Sequence, residues 1–150
     1  MINFRIIEEK DKELFFELSR QFYNSPAVLA PIKEEFHVNT FNELMRSRDY
    51  LECYIIECDG QTAGFGLLNF SYCHEAGGKI VWIEELYIRE EFRSMGIGTS
   101  FFELIEKNHP AMRYRLEVEK ENEKAVKLYK KLGYEFLQYD QMIKDLLSLY

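Results

Sequence analysis

Two glycines stand at the entrance of a predicted helix, in the run Ser94-Met95-Gly96-Ile97-Gly98-Thr99. Because glycine has no Cβ atom, the backbone there can approach a ligand closely and adopt dihedral angles that other residues avoid. The first amides of a helix lack partners within the helix, and the helix dipole adds about half a positive charge at that end. This combination suits a phosphate or pyrophosphate group. A plain strand-to-helix turn could show the same two glycines, so the pair alone leaves both interpretations open.

The glycine loop lies between a predicted strand over 79–89 and a predicted helix over 96–109, whose apolar residues recur at helical spacing. Along the whole chain the patterns predict the order β, α, α, β, β, β, α, β, α, β, β. Antiparallel hairpins come first, and one strand–helix–strand crossover follows. We therefore predict an α/β fold with a mixed, mostly antiparallel sheet of about seven strands and four helices on both faces. The last two strands are predicted over 134–138 and 141–145.

Composition narrows the class of protein. The 150 residues predict one domain over 1–150, and 47% of them are hydrophobic, enough for a large core. The net charge of −7 argues against nucleic acid or an anionic membrane as the main partner. No apolar run approaches the ~18 residues of a membrane-spanning helix, and the N-terminus lacks a signal-peptide stretch, so we expect a soluble, cytoplasmic protein. The cysteines and histidines show no metal-ligand spacing, so we predict no metal.

The run Arg93-Ser94-Met95-Gly96-Ile97-Gly98 resembles the Arg/Gln-x-x-Gly-x-Gly/Ala signature of the GNAT N-acetyltransferase superfamily. A dinucleotide-binding loop fits less well, because its third glycine would fall at Phe101. The resemblance implies that the loop binds the pyrophosphate of acetyl-CoA through backbone amides, although Ser94 stands where the family often has glycine. The preceding strand is similar to the family's fourth strand, whose backbone at Leu86 and Ile88 would hold the thioester carbonyl. Together with the motif described next, the resemblance implies cofactor contacts at Leu86, Tyr87, Ile88, Arg93, Ser94, Met95, Gly96, Ile97, Gly98, Thr99, Asn122, Ala125, Tyr129 and Lys131.

A second motif lies in the predicted helix over 121–132. Asn122 is followed by Ala125 three residues later and by Tyr129 seven residues later, and a Gly-aromatic pair ends the helix. Asn122 can cap the helix, and Asn122 and Tyr129 share a helix face. Without the first motif, Tyr129 would be interpreted as a core residue. The family resemblance implies instead that its hydroxyl protonates the departing thiolate, and that Lys131 pairs with the 3′-phosphate of the cofactor.

Acetyl transfer to an amine also needs a base. An alkylammonium group with a pKa near 10.4 is neutral at pH 7 in only roughly 10⁻³ to 10⁻⁴ of molecules, so a carboxylate must take up its proton. Glu84 is the first candidate, because strand alternation places it on one face with Leu86 and Ile88 and places Glu85 on the other. A β-bulge would change that alternation and favour Glu85. A glutamate on a solvated edge is the alternative without a function.

The resemblance implies an acetyl-CoA-dependent N-acetyltransferase that transfers the acetyl group directly to a primary amine of a small molecule. The run from Gly64-Phe65-Gly66 to Tyr72, followed by Ile83-Glu84-Glu85, is loosely similar to the diamine and polyamine branch of the family. This resemblance implies a polyamine-like compound or an amino sugar as the acceptor. Phe22, Tyr23 and Phe36, together with Glu84, are predicted to bind it. A protein N-terminal or lysine acetyltransferase and a non-catalytic CoA-binding sensor are the alternatives. Dimers are frequent in the family, which leaves a homodimer open.

Overall fold

The chain folds around a five-stranded sheet that carries helices on both faces. The computed structural model describes residues 1–146. Short 3-10 turns over Glu9–Asp11 and Glu90–Phe92 precede α1 and α3. The strands and helices are, in chain order, β1 (Ile2–Ile6), α1 (Lys12–Tyr23), α2 (Glu34–Arg46), β2 (Leu51–Cys58), β3 (Gln61–Cys73), β4 (Gly78–Ile88), α3 (Ile97–Asn108), β5 (Arg113–Leu116) and α4 (Glu123–Lys131).

The strands lie side by side in the order in which the chain visits them, β1-β2-β3-β4-β5. The first three pairs are antiparallel, and β4 pairs with β5 in parallel after the α3 crossover. The turn between β2 and β3 is tight, with Asp59 at φ 49° and Gly60 at φ 79°. Two successive residues with positive φ are typical of the turn that matches the twist of a hairpin. The predicted mixed sheet is therefore present.

Two apolar cores cover the two faces of the sheet. On the first face, Phe15 and Phe41 of α1 and α2 pack against Phe65 of β3. On the second face, Phe101 of α3 packs so closely that a Cβ added at Gly66 would lie 2.2 Å from its ring. Helix α4 joins this second core through partly buried side chains. The prediction of helices on both faces is thus confirmed.

The prediction of seven strands is wrong, because the structure has five in the described residues. The segments 134–138 and 141–145 have no regular structure, although their residue patterns alternate. A strand needs a partner for its backbone, and β5 offers an edge of only four residues. Side chains anchor the segment instead: the Tyr139 hydroxyl donates to Glu75 and the Gln141 amide donates to Glu117.

Helix α2 begins earlier than its sequence suggests. Asn39 and Thr40 are residue types that favour helix N-caps, and they precede the apolar Phe41, but the helix begins at Glu34 and both residues lie inside it. The Thr40 hydroxyl donates to the carbonyl of Phe36 at 2.9 Å, one turn back along the helix. This local bond inside a helix satisfies the same hydroxyl that would otherwise cap a helix start.

Candidate active site

A fork opens between β4 and β5. The two strands pair only where Ile80–Ile83 face Arg113–Leu116, whereas β4 continues to Ile88. Beyond Ile83, the edge of β4 that faces away from β3 has no strand partner within residues 1–146. Backbone amides and carbonyls on such an edge are available to a ligand, and an amide there can stabilise negative charge on a carbonyl oxygen.

A β-bulge lies at the start of this free edge. Leu67 of β3 pairs with Glu85 and Leu68 pairs with Ile83, so Glu84 has no partner across the pair. Ile83, Leu86 and Ile88 all pack in the core beneath α3. Glu85 instead bonds to Tyr23 of α1, and Glu84 contacts Asn69, whose neighbours Leu68 and Phe70 both pack in that core, so both glutamates are turned away from it. The predicted common face of Glu84, Leu86 and Ile88 is therefore wrong, because the bulge interrupts the alternation of the strand.

Glu85 points toward α1 and is buried, with only 8% of the residue exposed. The hydroxyl of Tyr23, the last residue of α1, donates a hydrogen bond to its Oε2 atom. The pKa of Glu85 is raised to about 7, chiefly by burial; the Tyr23 hydrogen bond opposes this increase, and the charge of Glu84 adds to it. The pKa of Tyr23 is also raised, first by burial and then by Glu85. Glu85 is thus a carboxyl group that titrates near neutral pH.

Glu84 is exposed at the fork. Surrounding atoms still exclude enough water from its carboxylate to raise its pKa, and the charge of Glu117 raises it as well. The side chain of Asn69 on β3 opposes this change. Glu117 directly follows β5, so it faces Glu84 across the mouth of the fork. Three carboxyl groups, those of Glu84, Glu85 and Glu117, therefore meet at this place.

The loop after β4 holds the backbone in left-handed conformations before α3. Ser94 has φ 63° and Gly96 has φ 76°, and Gly96 is the N-cap residue of α3. No side chain caps this helix end, so its first amides are open to a ligand. Arg93 does not point into this opening: its Nε atom donates to the carbonyl of Ile88 at 2.9 Å and ties the loop to β4. Ile97 is buried in the core, so only its backbone can contribute to the site.

Helix α4 packs beside the start of α3. The Oδ1 atom of Asn122 accepts a hydrogen bond from the amide of Ala125 at 3.3 Å, which confirms the predicted cap. The ring of Tyr129 packs against Phe102 of α3 with centroids 5.6 Å apart. Burial raises the pKa of Tyr129, and its hydroxyl makes no hydrogen bond with residues 1–146. Lys131 is exposed at the last position of the helix.

The end of α4 follows its sequence closely. Gly133 has φ 96°, its amide donates to the carbonyl of Lys130 at 3.1 Å, and the amide of Tyr134 donates to the carbonyl of Tyr129 at 2.9 Å. This pair of bonds is the glycine-ended helix terminus that Gly133 predicts. The terminus fixes the last turn of the helix, which carries Tyr129.

The predicted acceptor residues lie on the α1 and α2 side. Phe22 is a core residue that packs against Phe65 and Tyr87. Phe36 is half-buried in the first turn of α2. Only Tyr23 of the three predicted aromatic residues contacts a candidate catalytic group, through its bond to Glu85.

Three polar groups of this region carry no signal in the sequence. The buried hydroxyl of Ser19 lies 2.6 Å from Nδ1 of the equally buried His37, and the ring of His37 packs against Tyr23. Asn69 contacts the site from β3. The sequence near Ser19, His37 and Asn69 does not indicate these contacts, because the partner of each residue is distant in the chain.

The fork joins the two faces of the sheet. Glu85 and Tyr23 lie on the α1 side, whereas Tyr129 and the start of α3 lie on the other side. A ligand in the gap between β4 and β5 would therefore meet carboxyl groups on one face and the tyrosine on the other. Such a gap can hold two reactants that approach from opposite faces.

Two features are absent from residues 1–146. No helix there has the length and apolar character required to cross a membrane. No group of three or more His, Cys, Asp or Glu residues is arranged to hold a metal ion within the same residues.

Comparison with known proteins agrees with this geometry. The family model described as "Acetyltransferase (GNAT) family" matches residues 12–134. Thialysine N-epsilon-acetyltransferase of Mus musculus is 37% identical over 73 residues, which are 47% of this chain and 42% of that protein. The matched stretch therefore spans less than half the length of this curated relative.

Solved structures resemble the whole fold. An aminoglycoside N-acetyltransferase in complex with CoA superposes with a TM-score of 0.78 at 17% identity, over 98% of this chain and 96% of that chain. A predicted acetyltransferase with acetyl-CoA from Clostridium acetobutylicum has a TM-score of 0.75 at 20% identity, over 96% of each chain. At such identities the likeness shows the fold.

Proposed function

The chain belongs to the GNAT acetyltransferase family, whose members are acyltransferases that use acetyl-CoA, and we propose that it acetylates a primary amine of a small cationic molecule. The observation that carries the proposal is the fork, where a free strand edge, an uncapped helix start and three carboxyl groups meet. The donor side and the acceptor side of the fork are argued in turn below.

The donor side fits a pyrophosphate. Left-handed backbone at Ser94 and Gly96 turns the chain into α3, and the uncapped amides at the start of this helix offer donors in a positive helix dipole. A side chain at Gly98 would reach Leu128, since an added Cβ would lie 3.5 Å from its Cδ2 atom. We propose that the amides of 96–99 hold the pyrophosphate. The free edge of Glu84–Ile88 would hold the thioester carbonyl, and Lys131 would pair with the 3′-phosphate.

The acceptor side fits a cation. Glu84, Glu85 and Glu117 lie where the acceptor would enter, and two of them have raised pKa values because burial and mutual repulsion disfavour their anions. A cationic amine that bound there would relieve this repulsion. Thialysine and aminoglycosides, the compounds in the names of the compared enzymes, are both amines, which supports a small amine as the acceptor.

We propose Glu85 as the base and Tyr129 as the acid. With a pKa of about 7, Glu85 is matched to accept a proton near neutral pH, either directly or through a water molecule. Glu85 takes one proton from the ammonium group, so that the neutral amine can attack the thioester carbonyl. As the carbon–nitrogen bond forms and the carbon–sulfur bond breaks, the remaining extra proton on the nitrogen passes to solvent. The Tyr129 hydroxyl then protonates the sulfur. Burial keeps this hydroxyl protonated, and it has no competing partner within residues 1–146. Glu84 would recognise the cation, or serve as the base if Glu85 does not.

The first experiment measures CoA release with a panel of diamines, amino sugars, free lysine analogues and peptides. We expect turnover with small amines. Turnover with peptides alone would replace the proposal by protein acetylation. Binding of acetyl-CoA without turnover on any member would favour a CoA-binding sensor, whereas the absence of any rise in melting temperature with millimolar acetyl-CoA would contradict the donor site.

The second experiment tests the acid. Tyr129→Phe keeps the ring that packs on Phe102 and removes only the hydroxyl, so kcat should fall by roughly 10²- to 10⁴-fold while acetyl-CoA affinity is unchanged. Tyr134→Phe is the matched control, since its ring lies 6.2 Å from that of Tyr129 and its hydroxyl has no assigned role. A Tyr129→Phe enzyme as active as the Tyr134→Phe enzyme would show that Tyr129 is a core residue only.

A cytoplasmic location, which the sequence predicts, and a homodimer, which the family resemblance leaves open, stay predictions. Size-exclusion chromatography with light scattering measures the second directly. The proposed reaction requires neither, because every group that it uses lies within one chain.

A further inference from the structure

Tyr23 has a place in this site that neither substrate binding nor core packing explains. It is the last residue of α1, and its hydroxyl crosses to β4 to donate to Oε2 of Glu85. Its ring is held between Phe22, with centroids 5.2 Å apart, and His37, with centroids 5.7 Å apart. The hydroxyl therefore has a fixed position, and its one proton is already donated to Glu85.

The geometry leaves the second oxygen of Glu85 free. Oε1 makes no hydrogen bond with any side chain or amide of residues 1–146, whereas Oε2 is held by Tyr23. A carboxylate that accepts a hydrogen bond at one oxygen cannot rotate freely, so its other oxygen has a fixed direction. The raised pKa of Tyr23 keeps its hydroxyl protonated, and therefore a donor, throughout the range in which Glu85 titrates.

We infer that Tyr23 is a positioning residue for Glu85: its hydroxyl holds Oε2, so that Oε1 faces the fork and receives the proton of the acceptor amine. This inference rests on the proposed function, in which Glu85 is the base. It reassigns Tyr23, which the sequence predicts to bind the acceptor, to a role that it performs through Glu85. Tyr23 itself need not contact the substrate.

Removal of the Tyr23 hydroxyl should raise the pKa of Glu85. The Tyr23 bond stabilises the anion of Glu85 and lowers its pKa, so Tyr23→Phe should raise this pKa by about one unit from about 7. The ionised fraction of Glu85 at pH 7 would then fall from about one half to about one tenth. We expect kcat/KM to fall about fivefold at pH 7 and to approach the wild-type value at pH 9, where Glu85 is ionised in both proteins.

Other titratable groups around Glu85 do not produce this pattern. Glu84 lies beside it on β4, Cys53 lies on β2, and His37 lies on α2 behind Tyr23. Burial raises the pKa of Cys53 well above its ordinary value and lowers that of His37, so both stay neutral between pH 7 and 9. Glu84 is left in place in every variant, so its effect is common to all of them.

The experiment combines two titrations of Tyr23→Phe and the wild type. The first follows the carboxyl carbon of Glu85 by NMR in the absence of substrate, with the resonance assigned from Glu85→Gln. The second measures kcat/KM with the best amine from pH 6 to 9. Tyr54→Phe is the matched control, because the Tyr54 hydroxyl interacts with the buried Glu52 and lies 3.3 Å from Nε2 of His109, so its removal leaves the bond between Tyr23 and Glu85 intact.

We expect the NMR midpoint and the acid limb of kcat/KM to move up together in Tyr23→Phe and to stay in place in Tyr54→Phe. An unmoved NMR midpoint, or a loss of activity that is equal at pH 7 and pH 9, would overturn the inference. A moved midpoint with an unmoved kinetic limb would also overturn it, since Glu85 would then not be the base. If the wild type acetylates no amine, the proposed function fails, and the NMR titration still decides whether Tyr23 sets the ionisation of Glu85.

Discussion

The buried carboxyl group of Glu85 should make the folded protein less stable as the pH rises. In the folded state its pKa is raised to about 7, whereas in the unfolded chain it returns to about 4.5. Between these values the folded state keeps a proton that the unfolded state has released, so the free energy of unfolding falls as pH rises. The difference of 2.5 pKa units corresponds to about 3 kcal/mol, because each unit is worth about 1.4 kcal/mol.

Glu85→Gln removes the titration and leaves the packing nearly unchanged. The side-chain oxygen of glutamine can still accept the Tyr23 hydrogen bond, so the variant should fold. We expect Glu85→Gln to exceed the wild type in stability by about 2 to 3 kcal/mol more at pH 8 than at pH 5, most of the full difference, because pH 5 lies just above the unfolded pKa. The assay is urea denaturation of both proteins at the two pH values, followed by tryptophan fluorescence and circular dichroism.

The comparison of two proteins removes the contributions that they share. His37 is buried with a lowered pKa, so it adds stability as pH rises, but it does so equally in the wild type and in Glu85→Gln. Glu103→Gln is the matched control, because Glu103 is an exposed glutamate of α3. If Glu85→Gln and the wild type lost or gained the same free energy between pH 5 and pH 8, Glu85 would not be protonated in the folded protein, and its proposed role as a base matched to neutral pH would fall with it.

Two further variants test the loop and the core beside the site. Ser94→Gly should raise the free energy of unfolding by about 0.5 to 1 kcal/mol, since serine at φ 63° bears a strain that glycine avoids; thermal unfolding measures this, and an unchanged or lower melting temperature would contradict it. Tyr134→Phe should stabilise the protein by about 1 kcal/mol, because the Tyr134 hydroxyl is buried without a hydrogen-bond partner in residues 1–146. Urea denaturation checks the second value, and a loss of stability would indicate a bridging water molecule that the substitution displaces.

Local signals predicted the donor side of the site well. The cap at Asn122, the glycine end of α4 at Gly133 and the helix entrance at Gly96 each depend on residues within one turn of one another. A local pattern is sufficient for such features, because the groups that satisfy one another are neighbours in the chain. Ser94 shows the same principle, since its left-handed backbone explains why glycine is the usual residue in the family signature that the sequence resembles.

The acceptor side could not be predicted in this way. The bulge at Glu84 depends on how β3 and β4 are aligned between Leu67 and Leu68, which no pattern within β4 records. The bond between Tyr23 and Glu85 joins residues that are 62 positions apart. The two strands predicted after α4 failed for a related reason, because alternation indicates that a segment can form a strand but does not supply the partner edge.

Burial at the fork raises the pKa values of both proposed catalytic groups, Glu85 and Tyr129, and the two increases serve opposite roles: one group accepts a proton and the other donates one. Burial raises the pKa of Glu85 toward 7, so a carboxyl group that would otherwise be a weak base becomes suited to accept a proton near neutral pH. Burial also raises the pKa of Tyr129, so its hydroxyl keeps the proton that the departing sulfur requires. Strand alternation turns Glu85 away from Leu86 and Ile88, which stay packed beneath α3, and so places it beside Tyr23 of α1. The bulge adds Glu84 between Ile83 and Glu85, so that a second carboxyl group lies beside Glu85 at the fork while Ile83 keeps its place in the core.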